Sequence, residues 1–231
     1  MFERGDTEAR YNSAVSTRTV AYVDALEHLP EGAMLVIPQS TWEEYEHLLD
    51  DVAERPGLRI TYDRGRLEIM SPSPEHEEYK ELVLQLVRVL SDERGVPLET
   101  RGATTWKRRS FGQGTEPDTC FYVTNAARVI GKRRIDLETD PPPDVVVEID
   151  VTNESLSKFP IYAAIGVPEI WRYDCAVVYF FGLADGRYRE IPTSVAFPQL
   201  TPAALAEALD ESKRAGQTAA LAAFRRRVRG V

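Results

Sequence analysis

The alternation of hydrophobic and polar positions predicts a chain in which helices and strands follow one another. The clearest helical pattern runs from Glu75 to Gly95, where apolar residues recur every three or four positions. Its apolar face comprises Tyr79, Leu82, Val83, Leu86, Val87 and Leu90. A different pattern follows Asp144, where three consecutive valines lead to Glu148 and predict a short buried strand.

Shorter patterns predict the other elements. The predicted strands are 34–37, 58–62, 66–70, 96–100, 104–107, 118–123, 144–151, 169–173, 177–182 and 188–191. The other predicted helices are 20–29, 41–56, 156–165 and two helices within 201–229. Turns at Asp63-Arg64-Gly65 and Asp185-Gly186 predict two hairpins, and a glycine-rich loop is predicted at 112–114. This order predicts an α/β (α+β) fold with a mixed sheet covered by helices on both faces.

Acidic residues stand at the ends of the two predicted central strands. Asp118 follows Pro117, and Glu148 ends the valine strand, with Asp150 two positions later on the same strand face. Buried carboxylates need a partner or a metal, and Mg²⁺ prefers oxygen ligands. We therefore predict that Asp118, Glu148 and Asp150 bind Mg²⁺ or Mn²⁺. The alternatives are that Asp118 caps its strand and that Asp150 caps the turn after it.

Two further segments could supply catalytic groups. Lys158 lies on the predicted helix after the valine strand, where its amine could polarise a water or stabilise a phosphate. A lysine at such a position is also commonly just solvated. The start of the long helix carries Glu75, His76, Glu77 and Glu78. Acids are favoured at a helix N-terminus by the helix dipole, whatever the function. One of them could instead point into the same cleft.

Composition limits the partners. The chain has 231 residues and a net charge of −9, which is the wrong sign for coating nucleic acid by bulk charge. Basic clusters at 107–109, 132–134 and 225–229 could still guide a phosphate backbone, or could be solvated surface. No apolar run approaches a membrane span and no secretory signal is visible, so a cytoplasmic location is expected. Cys120 and Cys175 are expected to be reduced thiols.

Four sequence blocks occur together in a specific order. They are MSPSPEHE (70–77), EPD (116–118), PDVVVEID (143–150) and KFPIYAAIGVPEIWRYD (158–174). Together they resemble the Uma-type "putative restriction endonuclease" family, over about residues 35–182. The resemblance implies a restriction-endonuclease-like fold with a PD-(D/E)XK type site, in which Asp118 and Glu148 are Mg²⁺ ligands and Glu77 matches a helix acid often found nearby.

The chain departs from the standard motif at one position. The lysine expected two residues after Glu148 is replaced by Asp150, and Lys158 matches the relocated lysine of the Uma-type family. The resemblance implies that catalysis survives if the Lys158 amine reaches the position that the missing lysine would occupy.

The expected function is hydrolysis of DNA phosphodiester bonds by a metal-dependent endonuclease, with Asp118, Glu148, Lys158 and Glu77 as catalytic residues. The alternatives are a non-catalytic nucleic-acid-binding or regulatory module on the same fold, and an unrelated two-carboxylate hydrolase. DNA is the expected partner, and a homodimer is expected because cutting both strands needs two sites. The expected organisation is an N-terminal arm (1–30), a nuclease-like domain (31–195) and C-terminal helices (196–231).

Overall fold

The computed structural model describes residues 29–52, 57–151 and 155–230. The strands are β1 (Met34–Pro38), β2 (Arg59–Asp63), β3 (Arg66–Met70), β4 (Glu99–Thr100), β5 (Trp106–Arg108), β6 (Gln113–Thr115), β7 (Thr119–Tyr122), β8 (Val145–Ile149), β9 (Glu169–Tyr173), β10 (Val178–Ala184) and β11 (Arg187–Glu190). The helices are α1 (Trp42–Asp51), α2 (Pro74–Arg94), α3 (Ala126–Val129), α4 (Phe159–Ile165), α5 (Pro202–Ala215) and α6 (Gln217–Arg229). Residues 1–28, which hold all but the end of the predicted arm (1–30) and of the predicted helix at 20–29, lie outside the described residues.

The strands form two sheets. The six-stranded sheet has the order β11-β10-β9-β8-β7-β4, and its one parallel pair, β8–β9, makes it mixed as predicted. The five-stranded sheet, β1-β3-β2-β6-β5, is antiparallel throughout. This second sheet was not predicted from the sequence. Hydrophobic alternation identifies strands, but it does not specify which strands pair across long chain separations.

Helices cover both faces of the six-stranded sheet, as predicted. Odd-numbered residues of β8, such as Val147, pack in one core with α2, α5 and α6. Val146 points to the opposite face and packs in a second core with Ile161 and Ile165 of α4. The two cores follow from strand alternation, and the face that carries Val146 is also the face on which Glu148 lies.

The long helix α2 confirms the strongest sequence pattern. Ser73 is its N-cap and accepts a hydrogen bond from the His76 N–H at 3.3 Å, and Pro74 is suited to the first helical position. The helix ends at Gly95, whose φ of 62° is a left-handed conformation that favours glycine. Capping therefore fixes where α2 begins, and with it the position of His76.

Several predicted boundaries were wrong. Helix α1 ends at Asp51, several residues before the predicted end at 56–57. The strand predicted at 96–100 is reduced to two residues. The predicted glycine-rich loop is instead partly strand β6, in which Gly114 packs so closely against Tyr45 and Lys107 that a side chain would clash. Glycine at this position therefore reflects close packing and not a loop.

The two C-terminal helices were predicted correctly. Thr201 caps α5 by accepting a hydrogen bond from the Ala204 N–H at 3.1 Å, with Pro202 at the first helical position. Phe224 and Val228 of α6 are buried in the core that α2 lines. The two thiols, Cys120 and Cys175, are free as expected. Within the described residues, no helix is both long and apolar enough to cross a membrane.

Candidate active site

The antiparallel pairing of β7 with β8 sets the relative position of the two predicted acids. Thr119 is paired with Val147, and the same register continued by one residue places Asp118 opposite Glu148. Side chains of such cross-strand neighbours are about 5 Å apart at Cβ. Both acids are 1% exposed and line one narrow cleft together with Lys158 and Asp150. The structure thus brings together the acids and the lysine predicted from the sequence.

The two oxygens of Asp118 have different environments. Oδ2 accepts a hydrogen bond from the Ile149 N–H at 2.6 Å, and His76 Nε2 lies 2.9 Å from the same oxygen. The His76 ring is close enough for a hydrogen bond but is not aligned for one. Oδ1 accepts no hydrogen bond from any described residue, and its charge contact is Arg59 Nε at 3.9 Å. Oδ1 is therefore a buried carboxylate oxygen available to a ligand.

Glu148, in contrast, has both oxygens occupied. Lys158 donates from Nζ to Oε2 at 2.8 Å, and the Tyr162 hydroxyl donates a short hydrogen bond to Oε1. Lys158 lies in a 3₁₀ turn just before α4, and Tyr162 lies four residues later, one helical turn further on. The 3₁₀ turn and the first turn of α4 therefore hold Glu148 with one side chain each. Lys158 also donates to the Glu116 carbonyl at 3.3 Å.

The protonation of these groups reflects their burial and their neighbours. Burial raises the pKa of Glu148 to about 8, with Lys158 opposing this shift and the Asp118 charge adding to it. Burial also acts to raise the pKa of Asp118, but His76 and Lys158 outweigh it, so that pKa is lowered. The pKa of Lys158 is raised, because Glu148 and Asp118 outweigh its own burial. Lys158 is thus cationic and Asp118 ionised at neutral pH.

Asp150 belongs to the cleft but has a different partner. It lies just past the end of β8, and its backbone N–H donates to the Tyr173 carbonyl at 2.7 Å. Its carboxylate is bound by Arg172 Nε, and the Arg172 guanidinium stacks over Tyr179 at 5.8 Å. Asp150 therefore reaches the cleft as one half of a buried ion pair. The turn that it could cap, at 152–154, lies outside the described residues.

At the start of α2, His76 contacts Asp118, whereas Glu77 does not line the cleft. Glu77 is 41% exposed at its side chain, and its Oε1 accepts a hydrogen bond from Arg59 Nη2 at 3.0 Å. Its other oxygen is bound by Lys80. Glu77 is consequently linked to the site through Arg59, which lines the cleft itself, and through His76, whose Nδ1 lies 3.7 Å from Glu77 Oε1.

Two residues that contact Glu148 or Asp118 were not predicted from the sequence. Tyr162 could have been found, since it lies four residues after Lys158 and shares its side of the helix. Arg59 gave no such signal, because it lies on β2, 59 positions before Asp118, and reaches the site only through pairing of the second sheet. Local periodicity cannot reveal a contact of that kind.

The donor set suits a hard divalent cation. Asp118 offers an unpartnered oxygen, Glu148 offers a second carboxylate, and Mg²⁺ commonly takes one or two carboxylates with water and phosphate completing its shell. In the described part of the chain, no group of three or more His, Cys, Asp or Glu side chains is arranged to hold a metal. The structure therefore fits a two-carboxylate site better than the predicted set of three acids.

The predicted basic clusters are largely neutralised at the surface. The ion pairs are Lys107–Glu46, Arg109–Glu43, Arg109–Glu46, Lys132–Asp140, Arg225–Glu93, Arg227–Glu207 and Arg229–Glu93. Arg108 lies near Glu138 and over the Phe111 ring. These clusters are accordingly weaker attractors of a phosphate backbone than their sequence suggests.

Comparison with known proteins identifies the class. The model of the Uma2 family, described as "Putative restriction endonuclease", matches residues 42–212, and the chain belongs to this family. The match includes Asp118, Glu148 and Lys158. No curated protein matches the chain in sequence.

A similar solved structure is described as "a putative nuclease belonging to DUF820" from Anabaena variabilis ATCC 29413. It is 13% identical, with a TM-score of 0.48, and the alignment covers 69% of this chain and 97% of that one.

Proposed function

We propose that this protein is a metal-dependent endonuclease that hydrolyses phosphodiester bonds of DNA. The observation that carries the proposal is the convergence of Asp118, Glu148 and Lys158 in one buried cleft. Family membership supports the same class of reaction. Burying two adjacent acids and a lysine is costly. A cation and a phosphate bound in the cleft would offset that cost, because they interact with these charges.

Each residue has a distinct proposed task. Asp118 would bind a divalent ion through Oδ1, and Glu148 would bind it through Oε2 after exchanging its contact with Lys158. A bound Mg²⁺ would supply Lewis-acid polarisation of the phosphate and lower the pKa of a water. The released Lys158 ammonium would then stabilise negative charge on the phosphate. Asp150 would contribute by keeping Arg172 in place beside the cleft.

DNA is the proposed partner, and a homodimer the proposed assembly. The cleft has a volume of about 20 Å³, which holds an ion and few waters, so duplex DNA would lie across its mouth. Two copies related by a two-fold axis would cut both strands. The role proposed for Glu77 is indirect, because it orients Arg59 at the cleft wall.

A cleavage assay tests the proposal. Supercoiled plasmid and linear duplex are incubated with the protein and 10 mM Mg²⁺ or Mn²⁺, with and without EDTA. We expect metal-dependent cleavage that Asp118→Asn and Lys158→Met each lower by about 10²–10³-fold, because each removes several kcal/mol of transition-state stabilisation.

The matched control is Asp140→Asn, an acid outside the cleft whose partner is Lys132. This variant should cleave like the wild type. If the wild type binds DNA but cleaves none under any metal condition, the nuclease proposal fails in favour of a non-catalytic DNA-binding module on the same fold.

A further inference from the structure

Tyr162 and His76 each contact one oxygen of a cleft carboxylate. Tyr162 is fully buried and donates its hydroxyl to Glu148 Oε1. His76 is 3% exposed, and its Nε2 lies 2.9 Å from Asp118 Oδ2. In both cases the other oxygen of the same carboxylate is the one that the proposed metal would use. The two acids thus share one arrangement, although their contacts come from different helices.

The arrangement around Asp118 selects Oδ1. The Ile149 N–H and His76 both approach Oδ2, so the carboxylate cannot rotate without losing both contacts. Oδ1 is left without a hydrogen bond among the residues that the structure describes. A buried carboxylate oxygen without a donor is costly unless a cation binds it. His76 therefore helps to hold Asp118 in an orientation that leaves Oδ1 for a ligand.

The arrangement around Glu148 selects Oε2. Tyr162 belongs to α4, which is anchored in the core by Ile161 and Ile165, so its hydroxyl is held in a fixed position. Lys158 occupies Oε2, and its flexible four-carbon chain can move aside when a metal arrives. The rigid tyrosine keeps Oε1 while the mobile lysine yields Oε2.

We infer that Tyr162 and His76 are positioning residues for the metal, each fixing the carboxylate oxygen that does not bind it. This inference rests on the proposed function only in assuming a divalent ion in the cleft. Mutation of a residue that orients a metal-binding carboxylate typically lowers metal affinity by about 10–100-fold. Neither residue touches the metal or the phosphate in this arrangement.

The test is Mn²⁺ binding to the full-length protein by calorimetry, without DNA. Tyr162→Phe removes one hydroxyl, and we expect it to weaken Mn²⁺ affinity by about 10–100-fold. The matched control is Tyr122→Phe, which removes an equally buried hydroxyl that donates to the Pro141 carbonyl at 3.0 Å and has no contact with the cleft acids. Tyr122→Phe should bind Mn²⁺ like the wild type, even though it also loses a buried hydrogen bond.

His76 is tested by a pair of substitutions. His76→Leu should weaken Mn²⁺ binding by about 10-fold or more, whereas His76→Gln keeps a polar side chain that can contact Asp118 Oδ2 and should bind within about threefold of the wild type. Thermal unfolding of each variant confirms that it is folded. A purely structural role would lower the unfolding temperature without changing the affinity of the folded protein.

The outcomes separate this inference from the nuclease proposal. Wild-type affinity in both Tyr162→Phe and His76→Leu would overturn the inference, even if the protein cleaves DNA. Absence of Mn²⁺ binding by the wild type would overturn it as well. Wild-type binding that is weakened in these two variants but kept in Tyr122→Phe would establish it, even if no DNA substrate is cleaved.

Discussion

Charged side chains in the cleft and charged side chains on the C-terminal helices form ion pairs in opposite settings. In the cleft, Lys158 and Glu148 are 11% and 2% exposed at their side chains. On α6, Arg225 and Arg229 are 44% and 55% exposed where they meet Glu93. Both regions gather several charges, but water screens the arginines of the C-terminal cluster.

The difference shows that burial, and not the number of charges, sets how much a charge pair costs to form. A buried pair costs desolvation energy that folding alone gives no reason to accept. A surface pair costs little and contributes little, so it needs no functional explanation. Substitutions in the cleft should accordingly change the free energy of unfolding more than substitutions on the C-terminal helices.

Lys158→Met should be the most destabilising change, because it leaves Glu148 buried without its cation. We expect a loss of about 3–5 kcal/mol at pH 9, where Glu148 is ionised. The loss should be smaller at pH 6, since Glu148, with a pKa near 8, then carries a proton. Urea unfolding at the two pH values measures this. A loss under about 1 kcal/mol at pH 9 would contradict the claim that the pair is buried.

Glu148→Gln should change how stability depends on pH. The pKa of Glu148 is raised by burial from an ordinary value of 4.5 to about 8, so the folded state binds the extra proton. Its contribution to stability is therefore present below about pH 4.5 and is lost as pH rises through 8.

Between pH 5 and 8, the wild type should lose about 3 kcal/mol relative to Glu148→Gln. Urea unfolding of both proteins at four pH values tests this prediction, and parallel pH profiles would argue against the raised pKa.

Val228→Ala tests what attaches the C-terminal helices. Val228 is 8% exposed and packs in the core that α2 lines. Removing its two methyl groups should lower the free energy of unfolding by about 1.5 kcal/mol, measured by urea unfolding. A loss below about 0.5 kcal/mol, as for a surface substitution, would mean that charges, and not apolar contacts, attach α6 to the core.

Arg229→Gln should have the smallest effect. It removes one of two arginines that meet Glu93 at the surface. The unfolding temperature should change by no more than about 1–2 °C, and less still in 1 M NaCl. A larger shift that salt does not reduce would place this pair with the cleft and would weaken the comparison.

The sequence predicted the helices and strands that carry the site more completely than it predicted how those strands pair. Helix α2 and strand β8 were found because periodicity, capping residues and a valine run are local signals. Lys158 was found through its spacing from Glu148. Arg59 and the second sheet were not found, because strand pairing depends on contacts between residues far apart in the chain. The sequence also did not show which residue at the start of α2 contacts the cleft acids. The three-dimensional packing shows that it is His76.

Ion binding at the proposed site depends on the strand register that places Asp118 opposite Glu148. Side chains alternate along a strand, so a slip of one residue between β7 and β8 would break the pairing of Thr119 with Val147 and turn one acid toward the opposite core. A misregistered chain could keep its helices and most of its sheet, yet it could not gather both carboxylates. If the proposed metal binds there, its affinity would distinguish a correctly assembled sheet centre from a merely compact chain, without any substrate.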